Sequence, residues 1–248
     1  MLAKAADLPA DEVVVDLEDG TAVADKATAR DNVASARARG TLAVRINGVR
    51  TSWWRDDIAA AANADVIVVP KVESPDEVKA VIELLPSGVG LEVQIETTRG
   101  LVEVERIAAV GEPLEALVFG PGDFAASLGI PVLTIGAGAS EYALGRIAVA
   151  ARAFGLQPVD GPYAVLGDTD GLRAGAERAI AHGYDGKWVI HPDQIEPVND
   201  VFTPSAQEVE RARQIVAAAD GASSLSGEMV DAATKRLAES VLARASAL

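Results

Sequence analysis

Short aliphatic runs recur along the chain at near-regular intervals, and each stops at a polar residue. Seven of them read as strands: Val13–Leu17, Leu42–Ile46, Val66–Pro70, Leu91–Ile95, Ala116–Phe119, Leu156–Val159 and Lys187–Ile190. They are short and rich in β-branched and aliphatic residues. With little alternation of polar and apolar positions, they predict strands buried on both faces. Between them the apolar positions switch to helical spacing. Helices are predicted over Asp25–Arg39, Asp56–Ala62, Gly100–Val110, Tyr142–Phe154 and Thr169–His182. Ser74-Pro-Asp-Glu77 is a capping box with proline at the first helical position, and it opens a helix to about Leu85.

Buried strands alternating with helices predict a parallel sheet under helices. A repeat of about 25 to 30 residues fits a TIM (β/α)8 barrel. A doubly wound sheet is the alternative. No Gly-x-Gly-x-x-Gly follows the first strand, so its dinucleotide-binding version loses support. A barrel needs eight strands and seven are found. The residues before Val13 read as a helix tail, Leu2-Ala-Lys-Ala-Ala, and a loop. The first barrel strand is therefore expected to be missing from this numbering. The barrel domain is expected over residues 1–204 and a C-terminal helical extension over 205–248.

The residues that leave the strands are Asp16, Glu18 and Asp19, then Arg45 and Asn47, then Lys71, Glu96, Asp123, Asp160 and His191. In a barrel, C-terminal strand ends open on one face, and that face carries the site. Glu96 and Asp123 end successive strands, so their carboxylates can converge. Mg²⁺ favours that arrangement, one or two carboxylates with waters and substrate oxygens completing an octahedron. The competing reading makes both ordinary rim charges paired with Arg or Lys.

Composition narrows the classes. The chain has 248 residues, of which 49% are apolar, and a formal net charge of −15. So acidic a chain lacks the basic face that nucleic acids and anionic membranes require, though a local basic pocket can still take an anion. There is no cysteine, and His182 and His191 are the only histidines, so thiolate and multi-histidine metal chemistry are excluded. No run has the length of a membrane span, and Met1-Leu-Ala-Lys-Ala-Ala-Asp7 has no apolar signal region, so a cytoplasmic protein is expected.

Seven segments follow one another in a telling order: Val15-Asp-Leu-Glu-Asp-Gly20, Val44-Arg-Ile-Asn47, Val69-Pro-Lys-Val-Glu73, Ile95-Glu-Thr97, Phe119-Gly-Pro-Gly-Asp-Phe124, Lys187-Trp-Val-Ile-His-Pro-Asp-Gln-Ile195 and Gly227-Glu-Met-Val-Asp231. From about Ala3 to the C-terminus the chain resembles the citrate lyase β-subunit-like family (HpcH/HpaI aldolase/citrate lyase). That family includes malyl-CoA and citramalyl-CoA lyases. The resemblance implies a Mg²⁺-dependent carbon–carbon lyase that splits a β-hydroxy acyl-CoA into a 2-oxo acid and an acyl-CoA. It implies Glu96 and Asp123 as metal ligands and Arg45 as the clamp for the substrate carboxylate and developing oxyanion. Asp231 is implied as an acid/base on the acyl carbon, reaching into a neighbouring subunit of a homo-oligomer, a trimer or hexamer. Glu18 and Asp19 would shape the floor, Lys71 would neutralise it, Gly122 would line it, and His191 would lie near the CoA site. Relatives begin with a strand of the type Arg-Ser-x-Leu-Phe-Val-Pro-Gly that helps to bind CoA phosphates, and nothing here matches it. A malyl-CoA-type thioesterase and a non-catalytic or regulatory paralogue with impaired CoA binding stay open as alternatives.

Overall fold

A computed structural model describes residues 7–131, 133, 135, 140–218, 223–225 and 228–246. Seven strands form one parallel sheet in chain order: β1 Glu12–Asp16, β2 Thr41–Arg45, β3 Val66–Val69, β4 Gly90–Ile95, β5 Leu114–Phe119, β6 Gln157–Asp160 and β7 Gly186–Lys187. The curled sheet is of the TIM-barrel type, with β1 and β7 as its two edges. Helices alternate with it: α1 Lys26–Val33, α2 Trp54–Ala60, α3 Pro75–Ile82, α4 Thr98–Val102, α5 Val104–Ala108, α6 Pro121–Leu128, α7 Glu141–Ala153, α8 Thr169–Ala181 and α9 Ile195–Phe202. Among the described residues, no helix is long and apolar enough to cross a membrane.

β4 is buried throughout, yet its polar residues do alternate. Glu92, Gln94 and Glu96 share one face of the strand, and Leu91, Val93 and Ile95 the other. Ala43, Val66 and Val68 form one apolar cluster on the sheet, packed with Val14 and Trp188. Ile67, Leu91, Ile95, Ile107, Leu144 and Ile147 are almost wholly buried and belong to the larger apolar core.

Three predicted elements change in detail. β7 is two residues long, because Trp188 still donates to Asp160 O but Ile190 N–H turns to the Gln194 side chain instead of the ladder. α1 ends at Val33, short of Arg39, because the Ser35 hydroxyl takes the Asn32 carbonyl and Arg37 takes those of Ala34 and Ala36. The helix expected over Gly100–Val110 is two, broken at Glu103, whose carboxylate ties Arg99 at 3.1 Å and Arg106 at 2.8 Å. The Ser74 cap holds, with its hydroxyl accepting the Glu77 N–H at 3.3 Å. α6 was not predicted at all.

The chain divides into two compact units, Met1–Val198 and Asn199–Leu248. Within the second, α10 Ala206–Ala218 packs on α11 Ala232–Ser246, and β8 Ser223–Leu225 pairs antiparallel with β9 Glu228–Val230.

Candidate active site

The turn after β1 folds on Asp16. Its carboxylate accepts the Glu18 N–H and the Gly20 N–H, each at 2.8 Å. A Cβ on Gly20 would sit 2.4 Å from that carboxylate, so the turn needs glycine there. From β2, Arg45 meets Asp16 with two parallel bonds, Nε at 2.8 Å and Nη2 at 2.6 Å. Its remaining Nη1 faces Gln94 Oε1 and Glu18 Oε2, both at 3.4 Å. The Trp188 ring lies 5.9 Å from the guanidinium carbon. Burial alone would lower the Arg45 pKa, but Asp16, Glu18 and Glu96 outweigh it and the group stays charged.

Lys71 follows β3 in the left-handed region, φ 55°, which is uncommon for a residue with a side chain. That conformation points its N–H at Glu96 Oε1, 2.8 Å away. Its ammonium bonds the Glu18 carboxylate, lies 2.7 Å from Asp19, and is 3.6 Å from Asp123. Glu96 leaves β4 with only 3% exposure. Burial first, then the charges of Asp123 and Glu18, push its pKa up to about 7. Glu18 is also raised, by burial more than Lys71 and Arg45 lower it. Asp123 sits on the first turn of α6, where Pro121 provides a preset helical φ and the N-terminal dipole favours a carboxylate.

Asp16, Glu18, Glu96, Arg45 and Lys71 are thus brought together, with Asp19 and Asp123 reaching Lys71 from the rim. Five carboxylates face two cations, an excess of three negative charges when all are ionised. This donor set fits a hard dication. Glu96 and Asp123 offer carboxylate oxygens, the donor type a hard cation takes, and Glu96 Oε2 has no hydrogen-bond partner among the described residues. Among those residues, no group of three or more His, Asp or Glu is arranged to hold a metal by itself, so a cation here would need water or substrate oxygens as well. A cavity of about 460 Å³ adjoins the cluster, lined by Glu18, Asp19, Lys26, Asn47, Trp53 and Lys71 among others.

Gly120 sets how close β5 approaches Glu96. A Cβ there would fall 2.3 Å from both Cβ and Oε2 of Glu96. Gly120→Ala must therefore displace the carboxylate. We expect Mg²⁺ affinity to fall by roughly tenfold or more, as when a ligand's support is removed. Calorimetric titration checks this.

Gly122 lies in the first turn of α6, where an added Cβ would press on Ile135 at 3.2 Å. His191 makes none of the cluster's contacts. It caps the turn Pro192–Gln194, with Nδ1 accepting the Asp193 N–H at 3.2 Å. Asp160 is consumed by a buried ion pair with Lys187 at 2.5 Å. Asp231 belongs to the second unit and caps α11, where one carboxylate oxygen accepts the Ala233 and Thr234 N–H groups at 2.9 Å each. Those bonds, led by the Thr234 N–H, lower its pKa.

Sequence reasoning placed Asn47 at a strand end but missed the other braces of the cluster, Lys26 and Asp57. Lys26 is buried, and its ammonium donates to Leu17 O at 2.8 Å and Glu18 O at 3.0 Å, so it fixes the backbone that presents Glu18. Asn47 bonds Leu17 O at 2.9 Å and Asp57 at 2.6 Å, and Asp57 is tied to Arg30 at 3.2 Å. A lone lysine in an Ala-rich helix gives no sequence signal. Gln94 did give one, two residues before Glu96 on the same strand face.

Comparison with known proteins places this geometry in context. Residues 1–192 match the family described as HpcH/HpaI aldolase/citrate lyase, and residues 158–248 match a carbon–carbon bond lyase family of the TIM-barrel fold. An L-malyl-CoA/β-methylmalyl-CoA lyase of Cereibacter sphaeroides is 37% identical, over 95% of this chain and 87% of its own. A (3S)-malyl-CoA thioesterase of the same species is 39% identical, over 100% of this chain and 90% of its own. CitE from Mycobacterium tuberculosis, solved with magnesium, acetoacetate and coenzyme A, superposes with a TM-score of 0.83. It is 33% identical, and the match covers 96% of this chain and 90% of that one.

Proposed function

The chain belongs to the HpcH/HpaI aldolase/citrate lyase family and is a carbon–carbon lyase of the citrate lyase β type, and we propose that it is Mg²⁺-dependent and acts on a β-hydroxy acyl-CoA of the malyl, citramalyl or citryl kind. The products are a 2-oxo acid and an acyl-CoA. The observation that carries the reading is the excess of carboxylate over cation where β1, β3, β4 and α6 meet, with Glu96 buried and raised to about 7. Such a cluster is poised for a dication and a small anionic acid.

Glu96 and Asp123 are the residues that would hold Mg²⁺. When bound, the ion supplies a Lewis acid and a template for the substrate's carboxylate and hydroxyl or keto oxygens. Arg45 keeps Nη1 on the side of Gln94 and Glu18, and this edge is the one assigned to the oxygen that gains charge. Asp16, holding the other edge, orients it. Lys71 and Asp19 bound the mouth, and Gly122 lines it beside Asp123, with Ile135 packed against it. Glu18, its pKa raised chiefly by burial, takes the β-hydroxyl proton. The Cα–Cβ bond then breaks, its electrons pass into a thioester enolate, and Asp231 serves the α-carbon. As an ionised helix cap, Asp231 suits taking the α-carbon proton in the condensing direction; in cleavage it must first gain a proton from solvent, which it gives to the α-carbon, while Glu18 releases the hydroxyl proton to solvent. In this reading, Asp231 comes from a neighbouring subunit of a trimer or hexamer, His191 lies toward the CoA, and the setting is cytoplasmic.

The test is incubation with malyl-CoA and citramalyl-CoA, with and without EDTA, following 2-oxo acid and free thiol in parallel. A lyase releases 2-oxo acid without thiol, and EDTA stops it. Free thiol without 2-oxo acid would overturn this reading in favour of a thioesterase, which the relative matching 100% of the chain supports as the second reading. Neither product, with no 2-oxo acid binding, would mark a non-catalytic paralogue.

A further inference from the structure

We propose that Lys71 is a tethered counter-ion that competes with the divalent cation, so that the metal enters the cluster by exchange against the Lys71 ammonium. The proposal rests on Glu96 and Asp123 as the metal ligands.

The two cations of the cluster are held in different ways. Arg45 is fixed by two bonds to Asp16 and by Trp188 against its guanidinium, and its side chain is 17% exposed. Lys71 is 33% exposed, and its ammonium sits among three carboxylates from two elements: Glu18, Asp19 and Asp123. A guanidinium is a rigid fork, whereas an ammonium is a compact charge on a flexible four-carbon stem. Lys71 is therefore the cation of the pair that can move while its backbone stays.

That backbone is constrained. The φ of 55° turns the Lys71 N–H onto Glu96 while its side chain reaches Glu18 and Asp19. One residue thus bonds a candidate ligand through its main chain and lies 3.6 Å from the other through its side chain. A sparsely populated conformation persists only where the surroundings over-determine it, and such positions cluster at functional sites.

Charge decides the direction of the effect. Five carboxylates crowd two cations here, so the cluster needs Lys71 to limit repulsion when no dication is bound. An ammonium a few ångströms from a dication repels it, so the same residue must weaken metal binding. Once the dication takes Asp123, the ammonium keeps Glu18 and Asp19 and gives up its most distant partner.

The experiment is a calorimetric titration of the full-length chain with MgCl2, without substrate, on wild type, Lys71→Met and Lys71→Arg. Lys71→Met is expected to bind Mg²⁺ at least roughly tenfold more tightly, because a like charge is removed. Lys71→Arg keeps the charge and is expected to bind no more tightly than wild type. Metal-free Lys71→Met should melt below wild type, and saturating Mg²⁺ should abolish that difference. Lys71→Gln gives the same tightening should the methionine variant fail to fold. Equal or weaker Mg²⁺ binding by the neutral variants would overturn the proposal, since Lys71 would then serve to hold the ligands in place. No Mg²⁺ binding by wild type would remove the metal assignment itself, and the proposal with it.

Discussion

Glu96→Gln is expected to abolish Mg²⁺ binding and to reduce 2-oxo acid release by roughly a thousandfold, the scale of losing several kcal/mol of Lewis-acid stabilisation. The fold should survive. Glutamine is nearly isosteric, and its amide oxygen still accepts the Lys71 N–H now bound at 2.8 Å. The sign of the stability change follows from the pKa. Glu96 is raised from 4.5 to about 7 in the folded chain, by burial first and then by Asp123 and Glu18. A raised carboxyl contributes stability at low pH that is lost as pH rises through the folded value. Above pH 7 the metal-free glutamine variant should therefore melt at or above the metal-free wild type. Asp123→Asn should lose Mg²⁺ binding likewise. Calorimetry on both variants and melting curves in EDTA check this, and unchanged Mg²⁺ affinity in both would remove Glu96 and Asp123 as ligands.

The second large effect lies away from the strand ends, in the N-terminal halves of β1 and β4. Glu12 and Glu92 share a hydrogen bond there, with Glu115 adding negative charge. Glu92 Oε2 is buried and has no hydrogen-bond partner among the described residues. Burial is the first cause of both raised values, which lie at about 7 for Glu12 and about 8 for Glu92. With both folded pKa values above the unfolded ones, their stabilisation holds at low pH and fades as pH climbs through 7 to 8. Metal-free wild type should lose stability from pH 6 to pH 9. Glu92→Gln keeps a donor toward Glu12 and carries no charge, so it should lose much less. The difference should be of the order of 1–3 kcal/mol, the scale of the desolvation penalty that ionisation of a buried group adds, or roughly 2 to 12 °C in melting temperature at pH 9. Parallel pH profiles for the two proteins would contradict it.

These two sites show how far a sequence carries. All seven strand positions were legible, because aliphatic runs between helical stretches follow from local pattern alone. The end of β7 was not, because the Gln194 side chain takes the Ile190 N–H, and only the folded chain brings those groups together. α6 was hidden because its sequence reads first as a Gly-Pro-Gly turn. The strand-end residues Glu18, Arg45, Lys71, Glu96 and Asp123 were legible as a set, since a parallel sheet opens all its C-terminal ends to one side. Their pairing was not. The resemblance implied a clamp role for Arg45, and the structure shows that two of its bonds already go to Asp16. Lys26 and Asp57 were invisible, because a buried charge satisfied by backbone carbonyls or by an amide looks, in sequence, like any surface charge. Glu12 reads as the end of a loop and Glu92 as a polar strand residue, and their consequence comes only from being buried side by side.

The most direct test of the account is the anomalous scattering of Mn²⁺, used in place of Mg²⁺, in crystals grown with oxaloacetate. The account predicts one strong peak bridged by the Glu96 and Asp123 carboxylates, with the acid's oxygens completing the shell. A peak elsewhere, or Glu96 and Asp123 turned away onto Arg or Lys partners with no ion between them, would contradict it.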